Sequence, residues 1–132
     1  RALQGRTIDC NDIPDLVPTL AVLGTYAQGE THLINVPQAR IKETDRLHSM
    51  SEGLQQLGAD VTEHPAGLTV RTSTLQGANL HGYHDHRTVM ALGLAGLMAQ
   101  GRTIVDTAES IQKTFPTYAT LMQSLGANIH TV

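Results

Sequence analysis

Lys42-Glu43-Thr44-Asp45-Arg46 places two cations and a carboxylate where an amphipathic helix is about to begin. The helix is predicted from an apolar stripe that ends at Gly58 and consists of Leu47, Met50, Leu54 and Leu57. We expect it to span Thr44 to Leu57, with Thr44 as its N-cap. The free N–H groups of a first helical turn suit a phosphate or a carboxylate. Glu43 would repel such an anion unless it moves a proton, so the pattern suggests catalysis.

Ionisable residues also occupy the starts of three other predicted helices. They are Asp15 in Ile13-Pro14-Asp15, Asp85-His86-Arg87, and Lys113 in Lys113-Thr114-Phe115-Pro116. Each has an ordinary structural alternative. Asp15 and Asp85 could be helix caps, His86 a packed histidine and Lys113 a solvated charge. The 42–46 run could be a solvated face that compensates a helix dipole. The four groups therefore support a functional site only if the fold brings them together.

Composition places the chain among folded domains and excludes several classes of function. Of 132 residues, 40% are hydrophobic and 16% are charged, which is typical of a globular protein. A net charge of -3 and the absence of Trp argue against general nucleic-acid or membrane binding. Cys10 is the single cysteine, and the sequence has neither a signal peptide nor a membrane-spanning apolar run. We expect a cytoplasmic protein.

The sequence repeats itself at a spacing of about 70 residues. Ala27-Gln28-Gly29 recurs as Ala99-Gln100-Gly101, 72 positions later (99 − 27), and Leu57-Gly58-Ala59 recurs as Leu125-Gly126-Ala127, 68 positions later (125 − 57). Lys42 and Lys113 are 71 apart (113 − 42). We therefore predict an α/β fold of two duplicated units, at about 5–73 and 76–132.

Hydrophobic periodicity assigns helices and strands to the two units. The predicted helices are Leu16–Tyr26 with Pro18 in its first turn, Thr44–Leu57, Thr88–Ala99, and Phe115–Leu125 with Pro116 in its first turn. The predicted strands are Thr7–Cys10, Thr31–Val36, Ala59–Glu63, Leu68–Arg71, Ala78–Tyr83, Thr103–Asp106 and Ala127–Val132. Two helices, 16–26 and 88–99, are apolar nearly all round and should be buried on every side. The other two are one-sided and should lie nearer solvent.

The four motifs, in this order and spacing, resemble the C-terminal part of the 5-enolpyruvylshikimate-3-phosphate (EPSP) synthase family. The resemblance covers nearly the whole chain, and it implies that residues 1–132 are a single fragment of the C-terminal lobe. It implies two βαβαββ-type units of one lobe of the enolpyruvyl transferase fold, an inside-out α/β barrel. Family members are about three times longer and hold their site between two lobes.

The resemblance also implies a reaction. The enolpyruvyl group of phosphoenolpyruvate moves to the 5-hydroxyl of shikimate 3-phosphate, and phosphate is released. No metal or nucleotide cofactor is implied, because both reactants carry their own phosphates. The herbicide glyphosate is expected to compete at the phosphoenolpyruvate position. Because the family's opposite lobe supplies the other half of the pocket, we expect this chain alone to lack turnover.

By similarity, Asp15 contacts the attacking hydroxyl as a base, Glu43 protonates the methylene carbon, and Lys42 is a second proton-transfer or substrate-binding group. Arg46, Arg87 and Lys113 match residues that hold the carboxylate and phosphate of phosphoenolpyruvate, with His86 beside Arg87. Gln38 stands where many relatives have an Asn that touches the shikimate moiety.

Three other interpretations remain open from the sequence. A UDP-N-acetylglucosamine enolpyruvyl transferase shares the fold and the reaction type. A metal protein could use the cluster His81, His84, Asp85 and His86. A non-catalytic binding or assembly module could retain the lobe without its chemistry.

Overall fold

The computed structural model describes residues 2–132, which form an α/β structure. Its strands are β1 (Thr7–Asp9), β2 (Glu30–Ile34), β3 (Asp60–His64), β4 (Gly67–Arg71), β5 (Asn79–Leu80) and β6 (Ile104–Val105). Its α-helices are α1 (Val17–Tyr26), α2 (Arg46–Gln56), α3 (His86–Met98) and α4 (Tyr118–Ser124). Short 3-10 helices cover Pro14–Leu16, Pro37–Ile41 and Ala108–Lys113.

The first four strands form a sheet in the order β1-β2-β4-β3. β1 runs parallel to β2, whereas β4 is antiparallel to both β2 and β3. Leu33 lies opposite Leu68, and Val61 lies opposite Val70. All four side chains are buried, so this face of the sheet forms part of the core, as alternation along a strand requires.

Helices α1 and α2 pack on this face, and α3 packs on both of them. α1 contacts β2, β4, α2 and α3, and α2 contacts β3 and α3. Small residues set the closest approaches: a Cβ on Gly24 would lie 3.0 Å from Cβ of Val70, and one on Gly53 would lie 2.7 Å from a methyl carbon of Leu92. Gly24 thus lets α1 approach the sheet, and Gly53 lets α2 approach α3. Near the start of the two helices, the hydroxyl groups of Ser49 and Thr88 are 3.1 Å apart.

The expectation that α2 lies nearer solvent than α1 and α3 is wrong. Its buried residues are Arg46, Leu47, Ser49, Met50, Ser51, Gly53 and Leu54. The serines and the glycine are small enough for α3 to pack on a helix side that the apolar stripe does not mark. Conversely, Leu23 of α1 and Met98 of α3 are 38% and 40% exposed, so those helices are not buried on every side.

Several predicted boundaries also shift. α2 begins at Arg46 because the side chain of Asp45, not Thr44, accepts the N–H of His48 as the N-cap. Pro116 lies before α4, whose N-cap is Thr117. The predicted strand 127–132 is not a strand, because among residues 2–132 no antiparallel neighbour offers it a hydrogen-bond ladder.

Backbone features recur at the spacing seen in the sequence. β5 runs parallel to β6 as β1 does to β2, and the bridge between Gln4 and Gln28 recurs between Gln76 and Gln100, 72 residues on (76 − 4 and 100 − 28). Left-handed glycines recur at the same interval: φ is +83° at Gly29 and +86° at Gly101 (101 − 29 = 72). The boundaries 5–73 and 76–132 stay a prediction.

No helix within residues 2–132 has the length and apolar character needed to span a bilayer.

The close approach of β4 to β2 predicts a strong effect of Gly67→Ala. The added Cβ would lie 1.9 Å from the backbone oxygen of Leu33, so the strands must separate. We expect a loss of roughly 3 kcal/mol in the free energy of unfolding, measured by urea titration. Gly29→Ala is the matched control: its Cβ meets nothing within 4 Å, and only its left-handed backbone (φ +83°) costs about 1 kcal/mol. Equal losses in the two variants would contradict the prediction.

Candidate active site

A buried ion pair joins the N-terminal ends of α2 and α3. Arg46 has 2% of its side chain exposed and Asp85 has none. The guanidinium binds the carboxylate in a two-pronged manner, with Nε donating to Oδ2 at 2.9 Å and Nη2 donating to Oδ1 at 3.0 Å. Thr88 Oγ1 donates to Oδ2 at 2.7 Å, and the backbone N–H of Arg87 donates to Oδ1 at 3.3 Å. Asp85 is therefore both the N-cap of α3 and the counter-ion of Arg46.

Hydrogen bonding outweighs burial in both partners. Burial by itself would raise the pKa of Asp85, but the hydrogen bonds from Arg46 and Thr88 hold the pKa of this carboxyl below its usual value. Burial would likewise lower the pKa of Arg46, and the carboxylates of Asp85, Glu43 and Asp15 raise it above the ordinary arginine value instead. Both groups are charged over the physiological range.

Three cations meet at Asp15. Its Oδ1 accepts a hydrogen bond from Nη1 of Arg46 at 3.0 Å and lies 3.7 Å from Nζ of Lys42. Its Oδ2 lies 3.9 Å from Nη2 of Arg87. Half of the Asp15 side chain is exposed, so it remains open to a small molecule. The structure thus brings together three of the four sequence motifs.

Glu43 belongs to the same cluster. Its carboxylate pairs with Nη2 of Arg46, the first residue of α2 and three residues further along the chain, and 43% of its side chain is exposed. The cluster has a formal charge of zero (3 − 3). Its cations are Lys42, Arg46 and Arg87, and its carboxylates are Asp15, Glu43 and Asp85. Oxygen and nitrogen groups that could move protons or bind an anion therefore share one partly open surface.

Local structure explains how Asp15 reaches this position. It is not a helix cap: it lies inside the 3-10 helix Pro14–Leu16, whose N-cap makes no side-chain hydrogen bond. That turn packs against the second 3-10 helix, Pro37–Ile41, which leads directly into Lys42. Gln38 ties the two together, because its amide Nε2 donates to the backbone oxygen of Asn11 at 2.7 Å.

The other predicted site residues lie at the edge of the cluster. His86 is buried, its Nδ1 lies 3.9 Å from Asp85 Oδ1, and this nitrogen has no hydrogen-bond partner within residues 2–132. Lys113 ends the 3-10 helix that packs on α3, and it is exposed without an ion pair to any residue from 2 to 132. The substrate roles predicted for Gln38, His86 and Lys113 stay predictions.

A metal site built from the predicted cluster finds little support. His81 Nδ1 lies 2.8 Å from Asp106, and His84 lies 3.9 Å from Glu109, so these two histidines have other partners. Glu43, Asp85 and His86 do bring ligand atoms within 4.8 Å of one another. However, both oxygens of Asp85 already accept hydrogen bonds from Arg46, so this donor set does not fit a cation.

Backbone strain is concentrated immediately before the Asp85-His86-Arg87 turn. Tyr83 and His84 have φ values of +59° and +52°, and Thr107 has +56°. Such conformations cost roughly 1–3 kcal/mol each and tend to occur at functional sites. Two hydrogen bonds hold the two strained segments together, from Gly82 N to Asp106 Oδ1 and from His84 N to Thr107 Oγ1. Sequence reasoning missed both Tyr83 and the Arg46–Asp85 pair, since no spacing rule connects positions 39 apart.

Known proteins share the sequence and the fold of this α/β chain. Residues 1–122 match the family profile described as EPSP synthase (3-phosphoshikimate 1-carboxyvinyltransferase). The chain is 55% identical over 129 residues to the 3-phosphoshikimate 1-carboxyvinyltransferase of Acetivibrio thermocellus, covering 98% of this chain and 30% of that protein. It is 49% identical over 129 residues to the one from Methanocaldococcus jannaschii, covering 97% of this chain and 30% of the relative.

Solved structures agree. EPSP synthase from Acinetobacter baumannii superposes with a TM-score of 0.86 at 28% identity, covering 93% of this chain and 30% of that one. The enolpyruvyl transferase NikO from Streptomyces tendae has a TM-score of 0.73 at 22% identity over 98% of this chain and 29% of its own, which shows the shared fold alone. The chain belongs to the EPSP synthase family, as its motifs predicted, and it spans about 30% of the length of the curated relatives it matches. The predicted α/β lobe fold is confirmed.

The buried pair predicts that Asp85→Asn is strongly destabilising. The variant leaves the buried guanidinium of Arg46 without its main counter-ion, which typically costs 3–5 kcal/mol. Asp15→Asn is the control, because Asp15 touches the same guanidinium but is half exposed, and we expect it to cost about 1 kcal/mol or less. Urea unfolding at pH 7 measures both losses. Similar values for the two variants would show that burial of the pair does not matter.

The same pair predicts a pH dependence. Because the pKa of Asp85 is lowered on folding, its contribution is complete above the ordinary aspartate value of 3.8 and is lost as the pH falls through the lower folded value. The gap in unfolding free energy between the native chain and Asp85→Asn should therefore narrow as the pH falls from 6 to 2.5. Urea titrations across this range measure it, and a constant gap would refute the assignment.

Proposed function

We propose that this chain forms part of a cytoplasmic 3-phosphoshikimate 1-carboxyvinyltransferase, which transfers the enolpyruvyl group of phosphoenolpyruvate to the 5-hydroxyl of shikimate 3-phosphate. The match of residues 1–122 to the EPSP synthase family carries this proposal. The same match favours the shikimate substrate over UDP-N-acetylglucosamine. The clustering of Asp15, Lys42, Glu43 and Arg87 around Arg46 supports the assignment of roles.

Proton transfer falls to the two half-exposed carboxylates. Asp15 takes the proton of the attacking hydroxyl while the oxygen of that hydroxyl bonds to the central carbon of phosphoenolpyruvate. Glu43 first takes up a proton from solvent, supplies it to the methylene carbon in the addition step and takes one back when phosphate leaves. Lys42, with Nζ 3.7 Å from Asp15, is placed to pass a proton or to bind a substrate oxygen. The step balances when the hydroxyl proton passes from Asp15 to the released phosphate, while the proton added to the methylene carbon returns to Glu43 as the enol double bond is restored.

Anion binding falls to the cations at the edge of the cluster. Arg87 has only a long contact to Asp15, at 3.9 Å, so its guanidinium can turn to a carboxylate or a phosphate. Lys113 and His86 would complete this side, and Gln38 would position shikimate 3-phosphate. Arg46 differs from the others, because its bonds to Asp85, Asp15 and Glu43 occupy most of its N–H groups. We propose that it mainly orients the two acidic residues and offers its remaining donor to the substrate.

A second candidate function is that of a non-catalytic binding or assembly module, which has the fold of the lobe but not its chemistry. The zero formal charge of the six-residue cluster favours it for the chain alone, since a phosphorylated carboxylate needs an excess of cations. We propose that these cations come from the other lobe of a complete enzyme, together with Lys113.

A chimeric enzyme tests the function. The corresponding segment of the Acetivibrio thermocellus relative, 55% identical over 129 residues, is replaced by this chain, and phosphate release from the two substrates is measured. We expect turnover, a loss in kcat of roughly 100-fold or more for Asp15→Asn, and a rise in the KM for phosphoenolpyruvate of roughly tenfold for Arg87→Lys.

Arg71→Lys is the matched control, since Arg71 pairs with Glu30 and Asp60 on the sheet, and it should change neither constant. A folded chimera without activity would refute the proposed function. Full activity in Asp15→Asn would refute the role of that carboxylate.

A further inference from the structure

Tyr83 connects the strained loop before α3 to the middle of α2. It lies two residues before Asp85, and its hydroxyl donates a hydrogen bond to the carboxylate of Glu52. Burial, together with this hydrogen bond, raises the pKa of Tyr83 to about 12. The phenol therefore keeps its proton and remains a donor throughout the neutral range. Glu52 lies on α2, the helix that begins with Arg46.

Both ends of this link are held by further contacts. The ring of Tyr83 packs against His81 with centroids 4.3 Å apart, and it meets the edge of His48 at 6.4 Å. Nε2 of His48 lies 3.2 Å from Oε2 of Glu52, so the accepting carboxylate has a second partner on its own helix. On the opposite side of the loop, His84 N donates to Thr107 Oγ1 at 3.1 Å.

The loop geometry decides where the site residues lie. Tyr83 and His84 adopt left-handed backbones, which revert to ordinary conformations unless their surroundings hold them. Asp85 follows directly, pairs with Arg46 and caps the N–H of Arg87. A loop that relaxes would rotate the first turn of α3 and move the Arg87 guanidinium away from Asp15.

We infer that Tyr83 is a positioning residue, whose hydrogen bond to Glu52 holds the Asp85-His86-Arg87 turn in place against Arg46 and Asp15. In one respect this rests on the proposed function, namely that Arg87 receives an anionic group of phosphoenolpyruvate. Tyr83 itself acts through the loop and not on the reacting atoms. The site thus depends on a contact between the two halves of the chain that lies outside the charged cluster.

The first experiment examines the 132-residue chain itself, without substrates. Amide hydrogen exchange is measured by NMR at Gly82, His84 and Arg87. Tyr83→Phe keeps the ring but loses the hydrogen bond, and we expect exchange there to accelerate about fivefold or more. Glu52→Gln keeps an acceptor oxygen and should remain within about twofold of the native chain. Tyr26→Phe is the matched control, because it removes a tyrosine hydrogen bond to Met98 at the far end of α3.

The second experiment places the same substitutions in the chimeric enzyme. Tyr83→Phe should raise the KM for phosphoenolpyruvate roughly tenfold, with little change in kcat. Glu52→Gln keeps an acceptor for the tyrosine hydroxyl and should retain most of the native affinity. A purely structural role would lower the melting temperature and kcat and leave KM unchanged, which would overturn the inference. Unchanged exchange in Tyr83→Phe would also overturn it. If the native chimera releases no phosphate, the proposed function fails, and the exchange measurement still decides whether Tyr83 holds the loop.

Discussion

The requirement that a buried charge be paired organises this structure. Arg46 cannot sit 2% exposed without anionic partners, and Asp85 meets this need from the start of another helix. Such a pair often adds little net stability compared with apolar side chains, whereas losing one partner is costly. We interpret the role of the pair as alignment of the two helices. The planar guanidinium of Arg46 fixes α2 against α3 through Asp85, while Nη1 donates to Asp15 and Nη2 also donates to Glu43. Two acids are thereby oriented by one cation.

Duplication gives the two halves of the chain equivalent turns. Each half contains a parallel strand pair, turns at a left-handed glycine (Gly29 or Gly101), and carries a left-handed residue 72 positions from its counterpart (Asn35 or Thr107). The charged cluster nevertheless joins helix starts that are not equivalent, because α2 follows the turns of the first half and α3 precedes those of the second. The halves also differ at Tyr83, which stands where the first half has Asn11: Tyr83 donates to Glu52 on α2, whereas the side chain of Asn11 donates to the backbone oxygen of Asn35.

Charge balance separates the roles of the cluster's members. Arg46 is largely satisfied by carboxylates, whereas the long contacts of Lys42 and Arg87 to Asp15, at 3.7 and 3.9 Å, leave those cations able to exchange partners. We propose that an arriving anion competes with Asp15 for the two outer cations and leaves the buried pair in place. In the proposed enzyme, binding would thus free the carboxylate that must accept a proton.

The sequence by itself determined the fold class, the family and the residue types of the site, because periodicity, repeats and the four motifs are local or additive signals. It misjudged how far α2 is buried and where α2 and α4 begin. The start of α2 depends on Asp45 and not Thr44 accepting the N–H of His48, and Thr117 at the start of α4 makes no side-chain cap. Only the tertiary structure decided that Asp85 pairs with Arg46 and that Tyr83 reaches Glu52. Those contacts join positions 39 and 31 apart in the sequence. Their geometry depends on how closely α2 packs on α3 at Gly53, and no local pattern encodes the distance between two helices.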